Sequence, residues 1–509
     1  MKAHWLNFIG FRFCAVFDYS LAMRNNKESV RASGATTAPA SEITALPSAE
    51  VCKRARLSRD PRFDGRFFLA TVTTGIFCRP SCPKRLPREQ NVRYFASAAA
   101  AAEARYRPCL RCRPELALPM PETLLGSSSV TRALRLIDDG FLNNQSVSAL
   151  ARRLDLSERQ LDRRFMRVLG STPSSIGRFR RVQLARQLLA SELPLTQVAR
   201  FAGYDSVSQF NRELQKFFHC TPSALREQRG SPRAPGTLSL TLPVRPPYDF
   251  DWVFKYLRHR ALNGVEAVQG HRYERQLPNR QGSVVVVREG QNLRVQIPMG
   301  TESIHCLLRR VVRVFDLNAD GVSIHAHLVQ QPLLKPWVNK APGLRVPGAW
   351  NSFETAVRAI LGQQVSVARG TALANAMIQR YGDGNFPTPE QLCDRDIAEI
   401  GTPGRRGRAI SLLAREVYRG ELELSDVCDQ DQLSTRLMAV PGIGPWTVDY
   451  INLRVSKDPD AFPRNDWVVL KQLGTTPAKA AAQAKAWQPW RAYALMYLWF
   501  AAAQRRSGS

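Results

Sequence analysis

The sequence predicts a multidomain, mainly α-helical protein that also contains two smaller α/β parts. Three observations indicate this fold class. The chain has 509 residues, which is too long for one hydrophobic core. Apolar residues recur at helical spacing from about residue 129 to 229, and again from residue 350 onwards. Between these segments, residues 238–330 contain β-rich runs such as SVVVVREGQNLRVQI, with a turn predicted at Glu289–Gly290.

The composition is strongly basic, with a formal net charge of +29 and an isoelectric point near 10.4. Such an excess favours an anionic partner, nucleic acid before an acidic membrane surface. No run of apolar residues is long enough to span a membrane. Arg12 and Asp18 interrupt the apolar stretch near the N-terminus and no small-residue cleavage site follows, so we predict no secretory signal. Residues 1–52 are expected to be a disordered extension, since much of this stretch is Ser/Ala/Thr-rich with little to bury.

Four of the ten cysteines form a C-x3-C pair and a C-x2-C pair within 35 positions: Cys78, Cys82, Cys109 and Cys112. Clustered cysteines in a basic chain without a secretory signal favour metal binding over disulfides. Four thiolates at this spacing favour one tetrahedral Zn2+, with an iron–sulfur cluster or a purely redox role as alternatives. Between Cys78 and Arg113 there are nine Lys and Arg residues against two Glu, which offsets the negative charge of such a centre. By spacing alone, the four cysteines are equivalent ligands of a structural site.

The strings TTGIFCRPSC and RYRPCLRCRPE, within residues 53–118, closely resemble the N-terminal domain of the Ada family of bacterial alkylation-response regulators. The resemblance implies that Cys78 is both a zinc ligand and the acceptor of a methyl group from a methylphosphotriester in DNA. Methylation would remove one negative charge and so strengthen binding to DNA phosphates. Classical Ada proteins carry a second methyltransferase domain with a PCHR active site. That string does not occur here, so repair of methylated guanine oxygen is not predicted.

An internal repeat occupies residues 123–229. QLDRRFMRVLGSTPSSI matches QFNRELQKFFHCTPSAL at an offset of 49, and each copy reads as a short helix, a tight turn at Asp155 or Gly203, and a second helix. A plain helical hairpin repeat is the alternative. Two such motifs joined by a helix at 180–191 resemble the AraC-type DNA-binding domain, which implies operator DNA and RNA polymerase as partners. The residues expected to contact DNA are Arg159, Arg163, Gln209 and Arg212.

After a Pro/Gly linker at 230–237, the most informative motif is MAVPGIGPWTVDYINLR. Gly442 and Gly444 permit a tight hairpin and let backbone N–H groups approach a phosphate, and Pro445 suits the first turn of the next helix. Asp466 follows in AFPRNDWVVLK at a predicted helix start. Taken separately, the hairpin could bind DNA without catalysis, and Asp466 could be only an N-cap.

Together, the hairpin and the Asp resemble the helix-hairpin-helix DNA glycosylases, in which this Asp is the catalytic carboxylate. Trp446 stands where bifunctional members have the Schiff-base Lys, so a monofunctional enzyme is implied. No cysteine follows Cys428, so the iron–sulfur cluster of other members is not expected. From LPVRPPYDFDW to WQPWRAYALMYLWF, the chain resembles the AlkA type, 3-methyladenine DNA glycosylase II. The expected parts are an α/β domain at 238–335 and an all-α catalytic domain at 336–506.

The resemblance also implies a mechanism. A purine alkylated on a ring nitrogen is cationic and leaves without a general acid, so the site needs base extrusion, an aromatic stacking surface and an anion beside the sugar. Asp466 would supply the anion. The implied base-binding residues are Trp446, Tyr450 and Trp499, with Gln363 nearby. Core packing is the alternative for each aromatic, as we expect for Trp487, Trp490 and Tyr493. Gln364 stands where the family has an apolar wedge, which puts efficient base flipping in doubt.

The sequence thus predicts a sensor, a regulator and a repair enzyme in one chain. The implied partners are alkylated and operator double-stranded DNA, and the protein is expected to be a monomer in the bacterial cytoplasm, associated with the nucleoid, with no membrane partner. Two alternatives stay open. The chain could be a transcription regulator whose glycosylase part only binds damaged DNA, or a zinc- or redox-sensing activator that accepts no methyl.

Overall fold

The computed structural model describes residues 46–114, 128–191, 193–227, 237–278, 281–299 and 303–507. Most of the extension that was expected to be disordered, and nearly all of the linker at 230–237, lie outside the described residues. The expectation is wrong for Ala49–Cys52, which are helical. They belong to helix α1, Ala49–Leu57, which is capped by the Ser48 side chain. Within the described ranges, no helix combines the length and the apolar character needed to cross a bilayer.

The first part of the fold is a small sheet with one helix on it. Its strand order is β3-β1-β2-β4, in which β1 is antiparallel to β2 and β3 whereas β2 and β4 are parallel. The elements are β1 Phe68–Thr71, β2 Ile76–Cys78, β3 Val92–Phe95, α2 Ala98–Glu103 and β4 Arg107–Pro108.

The second part is all α-helical and contains both copies of the repeat. Its helices are α3 Ser129–Asp138, α4 Phe141–Asn144, α5 Val147–Arg153, α6 Glu158–Leu169, α7 Pro173–Leu188, α8 Leu195–Phe201, α9 Val207–Phe218 and α10 Pro222–Glu227. The predicted turns are present, since Asp155 and Gly203 both have positive φ. The connecting helix α7 begins well before the predicted residue 180, because Thr172 caps it and Pro173 suits its first turn.

The third part is a five-stranded antiparallel sheet in the order β5-β9-β8-β7-β6, with helices packed against it. The predicted turn at Glu289–Gly290 joins β8 to β9, and Val286 pairs with Val295. The elements are β5 Thr237–Pro243, α11 Phe250–Arg258, β6 Glu266–Gln269, β7 Arg272–Gln276, β8 Ser283–Glu289, β9 Asn292–Pro298 and α12 Ile304–Val314.

The last part is helical. Its helices are α13 Gly321–Leu328, α14 Lys335–Lys340, α15 Ser352–Leu361, α16 Val367–Tyr381, α17 Pro389–Leu392, α18 Gly404–Tyr418, α19 Gln430–Ala439, α20 Pro445–Ile451, α21 Trp467–Leu473, α22 Pro477–Ala484 and α23 Arg491–Ser507. A short π-helical turn, Asn452–Ser456, follows α20. Trp487, Trp490 and Tyr493 are buried in its core, as predicted.

The parts share hydrophobic cores. Leu188 and Phe218 of the repeat region belong to the same buried cluster as Leu240 and Val295 of the five-stranded sheet. Val427, in the loop before α19, is buried against the core formed by the first sheet and helix α3. The described chain from residue 46 therefore packs as one compact unit, and the mainly α-helical, multidomain fold class is confirmed.

Candidate active site and metal centre

The Gly/Pro motif forms the predicted hairpin between α19 and α20. Gly442 has φ +95°, and a Cβ at this position would lie 2.8 Å from the Cβ of Ala409, so only glycine fits. Gly444 precedes α20 and has no neighbouring atom within 4 Å of the place where a Cβ would be. Pro445 is the first residue of α20. The start of α20 is therefore open to an approaching phosphate.

Asp466 caps a helix and also accepts hydrogen bonds from two tryptophan side chains. Its Oδ1 accepts a hydrogen bond from the backbone N–H of Val469 at 3.0 Å, which caps α21. Its two carboxylate oxygens also accept the indole N–H groups of two tryptophans, Trp446 at 2.9 Å and Trp499 at 3.1 Å. The residue is only 6% exposed, and these donors compensate the buried charge. The carboxylate is thus held in one orientation from two directions.

The three predicted aromatic residues form one stack beside this carboxylate. Trp446 stacks on Tyr450 with ring centroids 5.3 Å apart and planes at 24°. Tyr450 and Trp499 are 6.4 Å apart at 37°. All three are half-buried rather than fully enclosed, so their exposed surfaces remain available for a further aromatic ring. Tyr450 and Trp499 also pack against neighbouring hydrophobic clusters, so the stack joins the core on one side and is partly exposed on the other.

Arg454 and Tyr256 adjoin the stack and were missed by the sequence reasoning. The Arg454 guanidinium lies 5.4 Å from the ring centroid of Tyr450, 5.6 Å from that of Trp499 and 4.9 Å from that of Tyr256. Arg454 could have been found from its spacing of four residues after Tyr450 on a helix. Tyr256 comes from α11 in the α/β part, and no local pattern signals it.

Cationic neighbours change the ionisation of Tyr450. Burial, the largest single effect, raises its pKa. The guanidiniums of Arg454, Arg260 and Arg358, with a hydrogen bond to Tyr256, outweigh burial and lower the pKa of the Tyr450 phenol below its usual range. Guanidinium groups therefore act on the Tyr450 phenol, with Arg454 against its ring.

The two glutamines of the turn after α15 take different positions. The Gln363 side chain donates to the Gly442 carbonyl at 3.1 Å and to the Thr447 hydroxyl at 2.9 Å, so it joins α15 to the hairpin. Gln364 is exposed in the turn and has φ +55°.

Trp467 directly follows Asp466 and is 63% exposed, which is unusual for a tryptophan. No sequence pattern predicts this exposure.

The residues predicted to read DNA lie on the second helix of each repeat. In α6, which Ser157 caps, Arg159 and Arg163 are exposed. In α9, Arg212 is exposed and Gln209 is half-buried. Both helices thus present these side chains on open surfaces, as a major-groove reading helix requires.

The four clustered cysteines converge in the small sheet. The parallel pairing of β2 with β4 sets Cys109 beside Cys78, and the backbone N–H of Cys109 donates to the Phe77 carbonyl at 3.0 Å. The ligand atoms of Cys78, Cys82, Cys109 and Cys112 all lie within 4.8 Å of one another, and all four residues are buried. This set of soft donors fits one tetrahedral Zn2+. It is the one such cluster found in the described ranges.

Asp64 holds the loop between the first two cysteines. Its carboxylate accepts the backbone N–H of Ser81 at 3.1 Å and the Ser81 hydroxyl at 2.6 Å, and it pairs with Arg79 at 3.3 Å. No local motif signals Asp64, because it precedes Cys78 by 14 residues.

Three family models match the chain. The metal binding domain of Ada matches residues 51–115, a helix-turn-helix domain matches 150–228, and the AlkA N-terminal domain matches 239–351. The probable bifunctional transcriptional activator/DNA repair enzyme AlkA of Mycobacterium tuberculosis is 38% identical over 474 residues, which cover 88% of this chain and 96% of the relative. This chain belongs to the same family.

Two relatives match separate parts of this AlkA-family chain. DNA-3-methyladenine glycosylase 2 of Escherichia coli is 33% identical over 277 residues, which cover 51% of this chain and 96% of the relative. The bifunctional transcriptional activator/DNA repair enzyme Ada of Escherichia coli is 35% identical over 170 residues, 33% of this chain and 47% of the relative. The resemblances to the Ada and AlkA families are thereby confirmed, as is a single Zn2+ with four cysteine ligands.

Proposed function

We propose that residues 336–506 form a monofunctional DNA glycosylase that excises alkylated purines of the 3-methyladenine type in base-excision repair. The observation that carries the proposal is the convergence of two indole N–H groups, from Trp446 and Trp499, on the buried carboxylate of Asp466. A carboxylate fixed beside an open aromatic stack has both groups that departure of a cationic base requires.

In this mechanism the flipped base stacks on the exposed surfaces of Trp446, Tyr450 and Trp499. Alkylation gives the base a positive charge, and cation–π attraction of about 1–2 kcal/mol favours it over a neutral base. The glycosidic bond breaks with its electron pair moving to the base, and the Asp466 carboxylate stabilises the oxocarbenium charge that develops on the sugar. Water then adds to the sugar and releases a proton to the solvent, which completes hydrolysis without a Schiff base.

The test is Asp466→Asn in the full chain, assayed for release of methyladenine from methylated duplex DNA. Asn still caps a helix, so folding is retained. The matched control is Asp396→Asn, which also changes a capping aspartate but lies on the exposed surface. We expect a loss of at least about 100-fold in the excision rate for Asp466→Asn only. If the wild-type chain binds damaged DNA but releases no base, the alternative of a purely binding glycosylase part is correct.

We further propose that residues 53–118 accept a methyl group from a DNA methylphosphotriester at Cys78. Bound Zn2+ would keep the cysteine sulfurs deprotonated at neutral pH. The Cys78 sulfur attacks the methyl carbon, a C–S bond forms, and the C–O bond breaks with its electron pair left on the phosphate oxygen. Cys78 and Cys82 are each 7% exposed whereas Cys109 has no exposed surface, which supports an acceptor in the first pair.

Mass spectrometric mapping after incubation with methylphosphotriester DNA tests this second activity. We expect one added methyl, on Cys78, and none in Cys78→Ser. Methyl on Cys82 would reassign the acceptor, and no methyl on any cysteine would support the zinc- or redox-sensing alternative.

The exposed residues of α6 and α9 support a regulatory role for residues 123–229, in which methylation of Cys78 promotes binding to operator DNA and activation through RNA polymerase. We also propose that the protein is a monomer that acts in the bacterial cytoplasm on the nucleoid. Gel-shift titration of the chain against promoter DNA, before and after methylation, tests the coupling. An unchanged affinity would contradict it.

A further inference from the structure

Arg135 belongs to helix α3 of the regulatory part, yet its guanidinium is bound to the glycosylase part. Its Nη1 donates to the carbonyl oxygen of Asp426 at 2.6 Å and to that of Ser456 at 2.9 Å. The residue is 7% exposed. A buried guanidinium is costly unless its donors are bonded, so these contacts fix α3 against the two carbonyls.

Ser456 is the last residue of the π-helical turn that carries Arg454. The chain leaves the helix immediately afterwards, because Lys457 has φ +52°. Carbonyl groups at a helix end lack intrahelical partners and need a donor from elsewhere. For the Ser456 carbonyl, this donor is the Arg135 guanidinium, which comes from another domain. Two positions before it, the buried Arg454 guanidinium faces the rings of Tyr450 and Trp499.

Ion pairs between the same two parts surround the hydrogen bonds of Arg135. Arg309 bridges the two parts, with one 2.7 Å contact to Asp139 beside α3 and two 2.7 Å contacts to the Asp426 carboxylate. Burial raises the pKa of Asp426, but Arg309, Arg313 and Arg135 together hold it at about 2, so this carboxylate stays ionised. Asp426 is therefore held twice, by Arg135 at its carbonyl oxygen and by Arg309 at its carboxylate.

We infer that Arg135 is a positioning residue of the glycosylase site, which through Ser456 holds the π-helical turn so that Arg454 stays against the aromatic stack. The inference rests on the proposed glycosylase function. It means that the helix-turn-helix part completes the enzyme structurally, in addition to binding DNA. Small displacements of groups that orient a substrate lower the rate of the chemical step more than they weaken binding.

The test compares Arg135→Ala with Arg132→Ala in the full chain, by single-turnover excision of methyladenine at several protein concentrations. Arg132 is a matched control on the same helix, since it donates to the Val427 carbonyl at 2.6 Å and pairs with Asp429 at 3.5 Å, whereas its hydrogen bonds within the described residues do not reach Ser456. We expect Arg135→Ala to lower the maximal excision rate about ten-fold with less than about two-fold change in the half-saturating concentration. Arg132→Ala should stay within about two-fold of wild type, and Arg135→Lys should recover part of the rate.

Three outcomes separate the possibilities. Equal losses in the two alanine variants, or a change in the half-saturating concentration alone, would overturn the positioning role. No excision by the wild-type chain would instead overturn the proposed glycosylase function. If thermal unfolding shows that Arg135→Ala is not folded, the Arg135→Gln and Arg132→Gln pair carries the same comparison with the same expected results.

Discussion

The indole N–H of Trp499 donates to Asp466 from helix α23, and that of Trp446 donates to it from helix α20. The carboxylate is therefore held by two of the three residues of the aromatic stack. In the proposed mechanism, stacking of the substrate base and orientation of the anion are coupled, because any movement of these two rings changes a hydrogen bond to the carboxylate.

Replacing Trp499 by Phe should lower the excision rate about 10- to 100-fold, since it removes one donor to a buried carboxylate while keeping an aromatic ring. The readout is single-turnover release of methyladenine. Trp337→Phe is the control, because Trp337 packs on Phe500 instead. A Trp499→Phe enzyme with the wild-type rate would show that the indole N–H is dispensable.

Gln364→Leu should raise the excision rate from duplex DNA about three- to ten-fold. Gln364 projects from an exposed turn, and an apolar side chain inserted into the base stack is favoured by about 1 kcal/mol over a polar one. The gain should shrink on a substrate in which the damaged base is already unpaired. A gain that is equal on both substrates would argue against a wedge role at this position.

Asp64→Asn should slow methyl transfer to Cys78 about ten-fold without loss of zinc. Asn keeps the shape of the side chain but cannot accept both Ser81 hydrogen bonds with the same strength or pair with Arg79, so the Cys78–Cys82 loop loosens. Transfer is followed by mass spectrometry and zinc by elemental analysis. Asp60→Asn weakens the ion pair with Arg62 but can still accept the Arg62 backbone N–H, and it should behave like wild type.

His305 should make stability depend on pH below neutrality. Burial, with a smaller effect of Arg181, lowers the pKa of this imidazole to about 4, against an opposing backbone hydrogen bond with Ala202. The pKa of histidine in the unfolded chain is about 6.5. The contribution of neutral His305 to the free energy of unfolding is therefore complete above that pH and is lost as the pH falls towards 4. Between pH 7 and 5.5 the loss should be roughly 1 kcal/mol.

Urea unfolding of the wild type and of His305→Gln at the two pH values checks this. The variant should show a smaller fall in midpoint on acidification. His305 lies close to Gly140 of the regulatory part, since a Cβ placed on Gly140 would be 3.7 Å from the His305 ring. A parallel fall in both proteins would assign the acid sensitivity to other groups.

Local spacing in the sequence was sufficient to predict the metal ligands, the two helix-turn-helix motifs and the hairpin. Chelate rings, helix caps and glycine turns depend on residues close to one another in the chain. Pairs such as Cys78 and Cys82, or Gly442 and Pro445, can therefore be predicted from the sequence without knowledge of the fold. The resemblance to known families then identified Asp466 and its aromatic neighbours. The sequence predicts the connecting helix from residue 180, whereas α7 begins at Pro173, directly after the cap formed by Thr172.

The tertiary structure alone decided which side chains meet across the domains. No sequence pattern joins Tyr256 to Arg454 or Arg135 to Ser456. The physical reason is that periodicity encodes which face of a helix is buried, but not the distant polar group that the face will meet. A buried charge finds its partner only when packing removes water from both, and that packing places helix α3 against the π-helical turn that carries Arg454.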